Sequence, residues 1–311
     1  MRTTCILLVV FALVAMPADI RLGIVGTDTS HAIALTGIFN DPSGPNHVPG
    51  ARVVAAYKGG SPDFPVSSQR VDKFAAELQS KGIEFVADIP TLCKKVDAIL
   101  LESVDGRVHL KQAKEVIAAR KPMFIDKPLA ATLEDAREIA RLAAEAGVPW
   151  FSSSGSRFGG MTAAMKFADT TGVVTWGPSP LEELFPLDLA WYGIHSIETL
   201  YTLMGPGCEE VRRIASRDSD VIVGRWKDGR TGTVFALRGP SNSGAVAFRP
   251  KSVVQSEPKS GGGYSSLARE IVKFFQTGTP PVSSAETLEL FAFMDAAQRS
   301  KAAGGQPVKL R

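Results

Sequence analysis

Ile20-Arg21-Leu22-Gly23-Ile24-Val25-Gly26-Thr27-Asp28-Thr29-Ser30-His31 is the stretch on which the fold turns. Its first six residues read as a buried strand and Gly26 as the turn that ends it. Asp28, Thr29 or Ser30 then caps a helix whose buried face runs through Ala32, Leu35 and Phe39. Residues 52–57 form a second strand, followed by a helix with Val71, Phe74, Ala75 and Leu78 on one face. Further strands at 84–86, 97–101 and 123–125 alternate with a helix through Leu110, Ala113 and Ile117. Thr132, with Asp135 three residues on, caps a last helix that Gly147 and Pro149 stop.

Such strand-helix-strand alternation needs crossovers, and so a parallel sheet with helices on both faces. Residues 19–149 are expected to form this doubly wound domain. Its ligand crevice belongs at the carboxyl ends of the strands, near Gly26, Tyr57, Glu102 and Asp126. Residues 150–311 read as a second α/β domain. Runs at 221–226 and 232–237 flank Lys227-Asp228-Gly229-Arg230, whose Asp-Gly pair signals a hairpin, and residues 245–248 supply another strand. The expectation is an open, largely antiparallel sheet with helices on one face. A final helix near 285–303 packs back on the first domain, and 256–266 is a surface loop.

The composition fits two globular cores: 311 residues, 44% apolar and 22% charged, with 29 Gly and 20 Pro. Disordered, collagen-like and disulfide-scaffold classes are excluded. Residues 6–15 are an apolar run between Arg2 and Met16-Pro17-Ala18, too short to cross about 30 Å of hydrocarbon. Residues 1–18 therefore read as a cleaved signal peptide, which makes the mature protein periplasmic or extracellular and free of the membrane. The formal charge of +3 loses Arg2 with that segment. No Lys/Arg cluster remains to suggest nucleic acid. Cys93 and Cys208 read as two unpaired core residues.

A dinucleotide motif G-x-G-x-x-G would fall on residues 26–31, but only Gly26 survives; Asp28 and His31 hold the other glycine places. Dinucleotide binding by Gly26, Thr27, Asp28, Ser30 and His31 is one reading, and simple helix capping the other. Lys58, at the end of the second strand, suits a 2′-phosphate and so favours NADP over NAD; a solvated lysine in a glycine turn is the alternative. Asp126-Lys127-Pro128 follows a strand directly, so Lys127 stands at the carboxyl edge of the sheet, where its ammonium can donate to a substrate oxygen. Asp28, His31 and His195 lack metal-motif spacing, and no metal site is expected.

The succession Gly23-Ile24-Val25-Gly26, Asp126-Lys127-Pro128-Leu129, residues 143–149 and Gly193-Ile194-His195 resembles the Gfo/Idh/MocA oxidoreductases. There the family's Glu-Lys-Pro reads Asp126-Lys127-Pro128, and its Asp-x-Gly-x-His keeps Gly193 and His195 but has Trp191 in place of the acid. Asp188, three residues earlier, is not assumed to replace it. The resemblance implies an N-terminal Rossmann domain binding NAD or NADP, with Glu102, Asp126 and Lys127 at the cofactor. It implies a C-terminal domain whose open sheet forms homo-oligomers, and a sugar or polyol substrate. Lys127 and His195 would be catalytic: His195 exchanges the hydroxyl proton, Lys127 holds the same oxygen, and a hydride passes to or from nicotinamide. His109 would lie at the substrate, in the stretch that lines the nicotinamide pocket; Arg157 would contact the substrate or else anchor the linker through a salt bridge, and Trp191 and Tyr192 would stack on a sugar ring or else pack in the core. A cofactor in an exported protein would be tightly held. The degenerate glycine motif keeps open a cofactor-free enzyme that isomerises, eliminates or hydrolyses a keto-sugar, and also a noncatalytic sugar-binding protein.

Overall fold

The computed structural model describes residues 18–257 and 263–311. The expected signal peptide thus lies, but for Ala18, outside the described residues, as does part of the loop expected at 256–266. Six strands, β1 (Ile20–Val25), β2 (Ala51–Tyr57), β3 (Glu84–Val86), β4 (Ala98–Leu101), β5 (Met123–Asp126) and β6 (Trp150–Ser153), form an all-parallel sheet in the order β3-β2-β1-β4-β5-β6. Between them run α1 (Ser30–Asn40), α2 (Pro65–Ser68), α3 (Val71–Ser80), α4 (Ile89–Lys95), α5 (His109–Ala118) and α6 (Leu133–Ala146). Strands β4, β5 and β6 are buried at every position, as expected where helices cover both faces of a parallel sheet. Local signals agree with the fold. Thr132 accepts the Asp135 N–H at 3.0 Å, and Gly147 ends α6 in the left-handed conformation.

One boundary expectation needs correction. The first sheet does not end at Pro149: β6 pairs with β5 through Ser153, so a domain division at 149/150 assigns the last strand of the first sheet to the second half. The hydrophobic run Trp150-Phe151 belongs to the first sheet because both of its faces are buried there.

A 3₁₀ turn (Gly155–Phe158) leads into the second half, which contains α7 (Gly160–Ala164), β7 (Gly172–Pro178), α8 (Asp188–Trp191), α9 (Ile194–Met204), β8 (Cys208–Ala215), β9 (Ser219–Trp226), β10 (Thr231–Leu237), β11 (Gly244–Arg249), β12 (Ser252–Gln255), α10 (Tyr264–Thr277), α11 (Ser284–Ala302) and β13 (Val308–Lys309). Its sheet runs β12-β11-β7-β10-β9-β8-β13 and is antiparallel except where β7 meets β10. The final helix, α11, packs mainly along β8 and also touches α6 and β6. That is the expected packing on the first half, and α10 makes a second return to it. Its Leu267, Ala268, Ile271 and Phe274 share a core with Leu22, Ile24, Leu35 and Phe39, and the Phe274 ring meets Phe151 edge-on at 5.1 Å. The two halves are thereby held around the crevice at the strand ends.

Candidate active site

The sheet order reverses at β1, whose neighbours are β2 and β4, and this is where open α/β sheets bind ligands. Gly26 sits there at φ +88°, and a Cβ on it would lie 2.2 Å from Ser103 Oγ and 2.6 Å from Ser103 Cα. The first motif glycine is thus required by both backbone and space. The turn is laced to the end of β2: Gly26 N–H donates to Tyr57 O at 3.0 Å and Thr27 N–H to Lys58 O at 2.9 Å. Thr27 Oγ1 donates to that same carbonyl at 3.2 Å. Thr29, not Asp28, caps α1, accepting the His31 N–H at 3.3 Å.

Asp28 does something else. It is fully buried; one carboxylate oxygen accepts the Val104 N–H at 3.0 Å and the other the Ser67 hydroxyl at 2.5 Å. The side chain therefore bridges the segment after β2 and the segment after β4, on either side of the turn. Arg107 makes a second bridge, from Asp105 at 2.8 Å to Asp63 at 2.9 Å. Beside it Phe64, fully buried, packs edge-on against Trp191 at 5.1 Å and near Phe185 at 5.9 Å. A pyrophosphate laid across a glycine motif needs position 28 bare so that the backbone can approach it; here that space holds a carboxylate bonded on both oxygens. This side of the crevice thus departs from the glycine motif at position 28. Lys58, expected to receive a 2′-phosphate, instead forms an exposed ion pair with Asp72 on α3, and Ser30 is exposed at the start of α1.

The other side of the crevice is built differently. Lys127 and Asp126 are buried at the end of β5. Asp126 Oδ2 lies 2.6 Å from His31 Nδ1, so the residue at the third glycine position binds the acid of the lysine motif. The His31 ring also meets Tyr264 of α10, 4.8 Å between centroids. Glu102, at the end of β4, is fully buried with neither oxygen hydrogen-bonded. His195 on α9 has a buried Nδ1 without a partner. Lys127 Nζ lies 5.4 Å from the Tyr192 ring centre and 5.9 Å from that of Trp191, within cation–π range. The Tyr192 ring lies 5.9 Å from that of His195.

Burial dominates the protonation states. It lowers Lys127 below the usual ammonium value, against the raising charges of Asp126, Glu198 and Glu102. Burial first, then the charges of Lys127 and His31, push His195 down to about 3, with Asp126 opposing. His195 is therefore held as the neutral imidazole near neutral pH. Glu102 is raised by burial and then by Asp126, with Lys127 opposing. Burial pushes Asp126 up too, but His31 and Lys127 outweigh it and leave that carboxyl below its ordinary range.

Lys127, His195, Asp126, Glu102, His31 and Tyr192 are thus gathered at one place, while other expected residues are not. His109 is fully buried, its ring nitrogens 2.7 Å from Ser103 O and 3.2 Å from Leu129 O. It ties together the loops that follow β4 and β5. Arg157 is committed to Glu286 at 2.6 Å and Glu198 at 3.3 Å, an anchor for the chain crossing between sheets. Trp191 is core, packed on Phe64 and Phe185, whereas Tyr192 keeps an exposed face. Asp188 is turned away into an ion cluster with Arg213 and Lys301. The sequence reading missed three residues. Glu198 accepts the Ser154 N–H at 3.0 Å and the Ser153 hydroxyl at 2.8 Å, locking α9 to the end of β6; its one signal was its place three residues after His195. Phe64 and Tyr264 carried no local signal, since each acts through a contact distant in sequence.

Residues 20–153 match the family model described as "Oxidoreductase family, NAD-binding Rossmann fold", named GFO_IDH_MocA. No curated protein matches the sequence significantly. Among solved structures, a probable dehydrogenase from Thermotoga maritima is similar with a TM-score of 0.74 at 19% identity, over 93% of this chain and 99% of that one. The myo-inositol dehydrogenase of Lactobacillus casei, in complex with NAD(H) and myo-inositol, is similar at 0.73 and 16%, over 94% and 97%. An oxidoreductase from Agrobacterium radiobacter, in complex with NAD+, L-tartaric acid and magnesium, is similar at 0.73 and 15%, over 94% and 99%. At these identities the likeness to the solved structures concerns the fold.

Proposed function

The chain belongs, through residues 20–153, to the Gfo/Idh/MocA oxidoreductases, and on that premise we propose an enzyme acting at a hydroxyl or carbonyl carbon of a sugar or polyol. One observation carries the reading: Lys127 of the first half and His195 of the second share a buried site whose nearby polar atoms, on Glu102 and His195 itself, lack protein partners. Buried polar groups are normally bonded, and orphans at a crevice point to a ligand that completes them. In this reading Lys127 donates to the substrate oxygen, and the neutral His195 accepts from the same hydroxyl or from a neighbouring one. Tyr192 offers its exposed ring face to the sugar.

The redox partner of the family is a nicotinamide nucleotide, and where its pyrophosphate calls for a bare backbone this chain carries Asp28. That same observation favours a second reading, a cofactor-free isomerase, lyase or hydrolase of a keto-sugar. Mass spectrometry of the denatured protein separates the two. Released NAD or NADP supports the redox enzyme, and its absence, with sugar conversion intact after exhaustive dialysis, supports the second.

We also propose a homo-oligomer and an exported location. The first is supported by the outer face of the second sheet, where Ile214, Phe235, Phe248 and Val253 are exposed, together with Phe235 lying beside Trp176 and Val221 in register. The second rests on the apolar run at residues 6–15.

A further inference from the structure

His31, Glu102 and Asp126 come from three elements, the first turn of α1 and the ends of β4 and β5. One ligand atom from each lies within 4.8 Å of the other two. We propose that these three residues bind a divalent transition cation, Mn2+ or Zn2+ in class, on the crevice side of Lys127.

Two independent observations meet here. The first is the geometry: an imidazole nitrogen and two carboxylates converge, the carboxylates fully or nearly fully buried. The second is that Glu102 has no hydrogen-bond partner on either oxygen, although it is fully buried. A buried carboxyl left unbonded is costly, by several kcal/mol where it is ionised. The neighbouring ammonium of Lys127 lies against the rings of Tyr192 and Trp191 and makes no salt bridge to Glu102 among the described residues. A cation would satisfy both carboxylates at once.

The donor set is borderline in softness, which suits Mn2+ or Zn2+ better than Ca2+. With metal–ligand distances of about 2.0–2.2 Å, coordinating atoms stand roughly 3–4 Å apart. The His31–Asp126 contact of 2.6 Å would open slightly and the longest separation, 4.8 Å, would close by under ~2 Å. Three protein ligands leave positions open on the cation for two oxygens of a vicinal diol or hydroxy-carbonyl. The inference stands apart from the redox reading, since it requires only these side chains.

The test is metal binding to the purified protein after EDTA treatment and dialysis, read by loss of the free Mn2+ paramagnetic signal. The expected result is one saturable equivalent, weakened at least tenfold in both Glu102→Gln and His31→Gln, with circular dichroism matching the wild type. Should one variant fail to fold, the wild type loaded with Co2+ provides the second readout: visible absorption bands indicating a nitrogen ligand support the site, and a spectrum like that of aqueous Co2+ overturns it. Absence of a saturable equivalent overturns it as well, and so does unchanged affinity in the folded variants, which would place the ion elsewhere.

Discussion

Nδ1 of His31 and Oδ2 of Asp126 lie 2.6 Å apart. This contact joins the helix that follows the first turn to the strand that presents Lys127, across the point where the sheet order reverses. In a glycine motif position 31 is bare so that helix and strand can pack closely; here the side chain is present and bonded into the site. The crevice has acquired polar chemistry on one side while closing on the other, and the predictions below follow from that asymmetry.

Asp28→Gly restores the second motif glycine and removes the bridge. Ser67 and the Val104 N–H lose their acceptor, so stability falls by roughly 2–4 kcal/mol, read from the urea midpoint. Isothermal titration should show nucleotide affinity gained over the wild type. A variant that binds NAD no better than the parent would mean that the carboxylate is not what closes the crevice.

Lys127→Ala lowers kcat/KM on the responsive sugar by about 10²–10⁴-fold, while thermal melting stays close to the parent because a desolvated ammonium has been removed. Full turnover in this variant would exclude the lysine from the chemistry.

His195 is held at about 3, so it does not titrate between roughly pH 5 and 8, where a free histidine would. An acid limb of kcat/KM in that window should persist in His195→Gln. Its disappearance would show that the imidazole gains its proton far above the value that burial imposes.

Arg213 is fully buried between Asp188, at 2.7 Å, and Asp220. Burial pushes Asp188 up, but the hydrogen bonds and charges of Arg213 and Lys301 outweigh it and leave the carboxyl below its ordinary range. A depressed carboxylate contributes stability that is fully present above its unfolded value near 3.9 and is lost as pH falls through the lower folded value. Denaturation midpoints should therefore drop more steeply below about pH 4 in the wild type than in Asp188→Asn. Arg213→Ala, which leaves Asp188 with Lys301 alone and Asp220 with Arg238 alone, should cost about 3 kcal/mol.

Burial pushes the Cys93 thiol up to about 11 and that of Cys208 to about 12. Neither should react with Ellman's reagent at pH 8 in the native protein, since the thiolate is the reactive form. Both should react in guanidinium. Rapid native labelling of either would contradict its burial.

Most of the first sheet was legible from residue patterns, because its strands are short apolar runs bounded by glycines and caps, and its helices keep one apolar face. The second half was less so. β7 and β8 escaped notice since their alternation of buried and exposed residues is broken by charge and by Gly172 and Gly177. Nothing in the residues of α10 said that its apolar face, with a partner available on either half, would choose the first sheet. At the site, Lys127 and His195 were visible through their motifs and Tyr192 through its neighbours. The commitments of Asp28 and His109 were not, because a polar side chain shows its type in the sequence and its partner only in space.

By itself, the order of residues determined the parallel sheet, its crevice, and the placing of Lys127 at a strand end, because hydrophobic period, caps and glycine turns act over a few neighbours. Only the tertiary structure decided that Asp28 bridges the crevice, that His31 binds Asp126 and that Glu102 is left without a partner. Those outcomes depend on burial and on distances between residues separated by dozens of positions, for which local spacing holds no record.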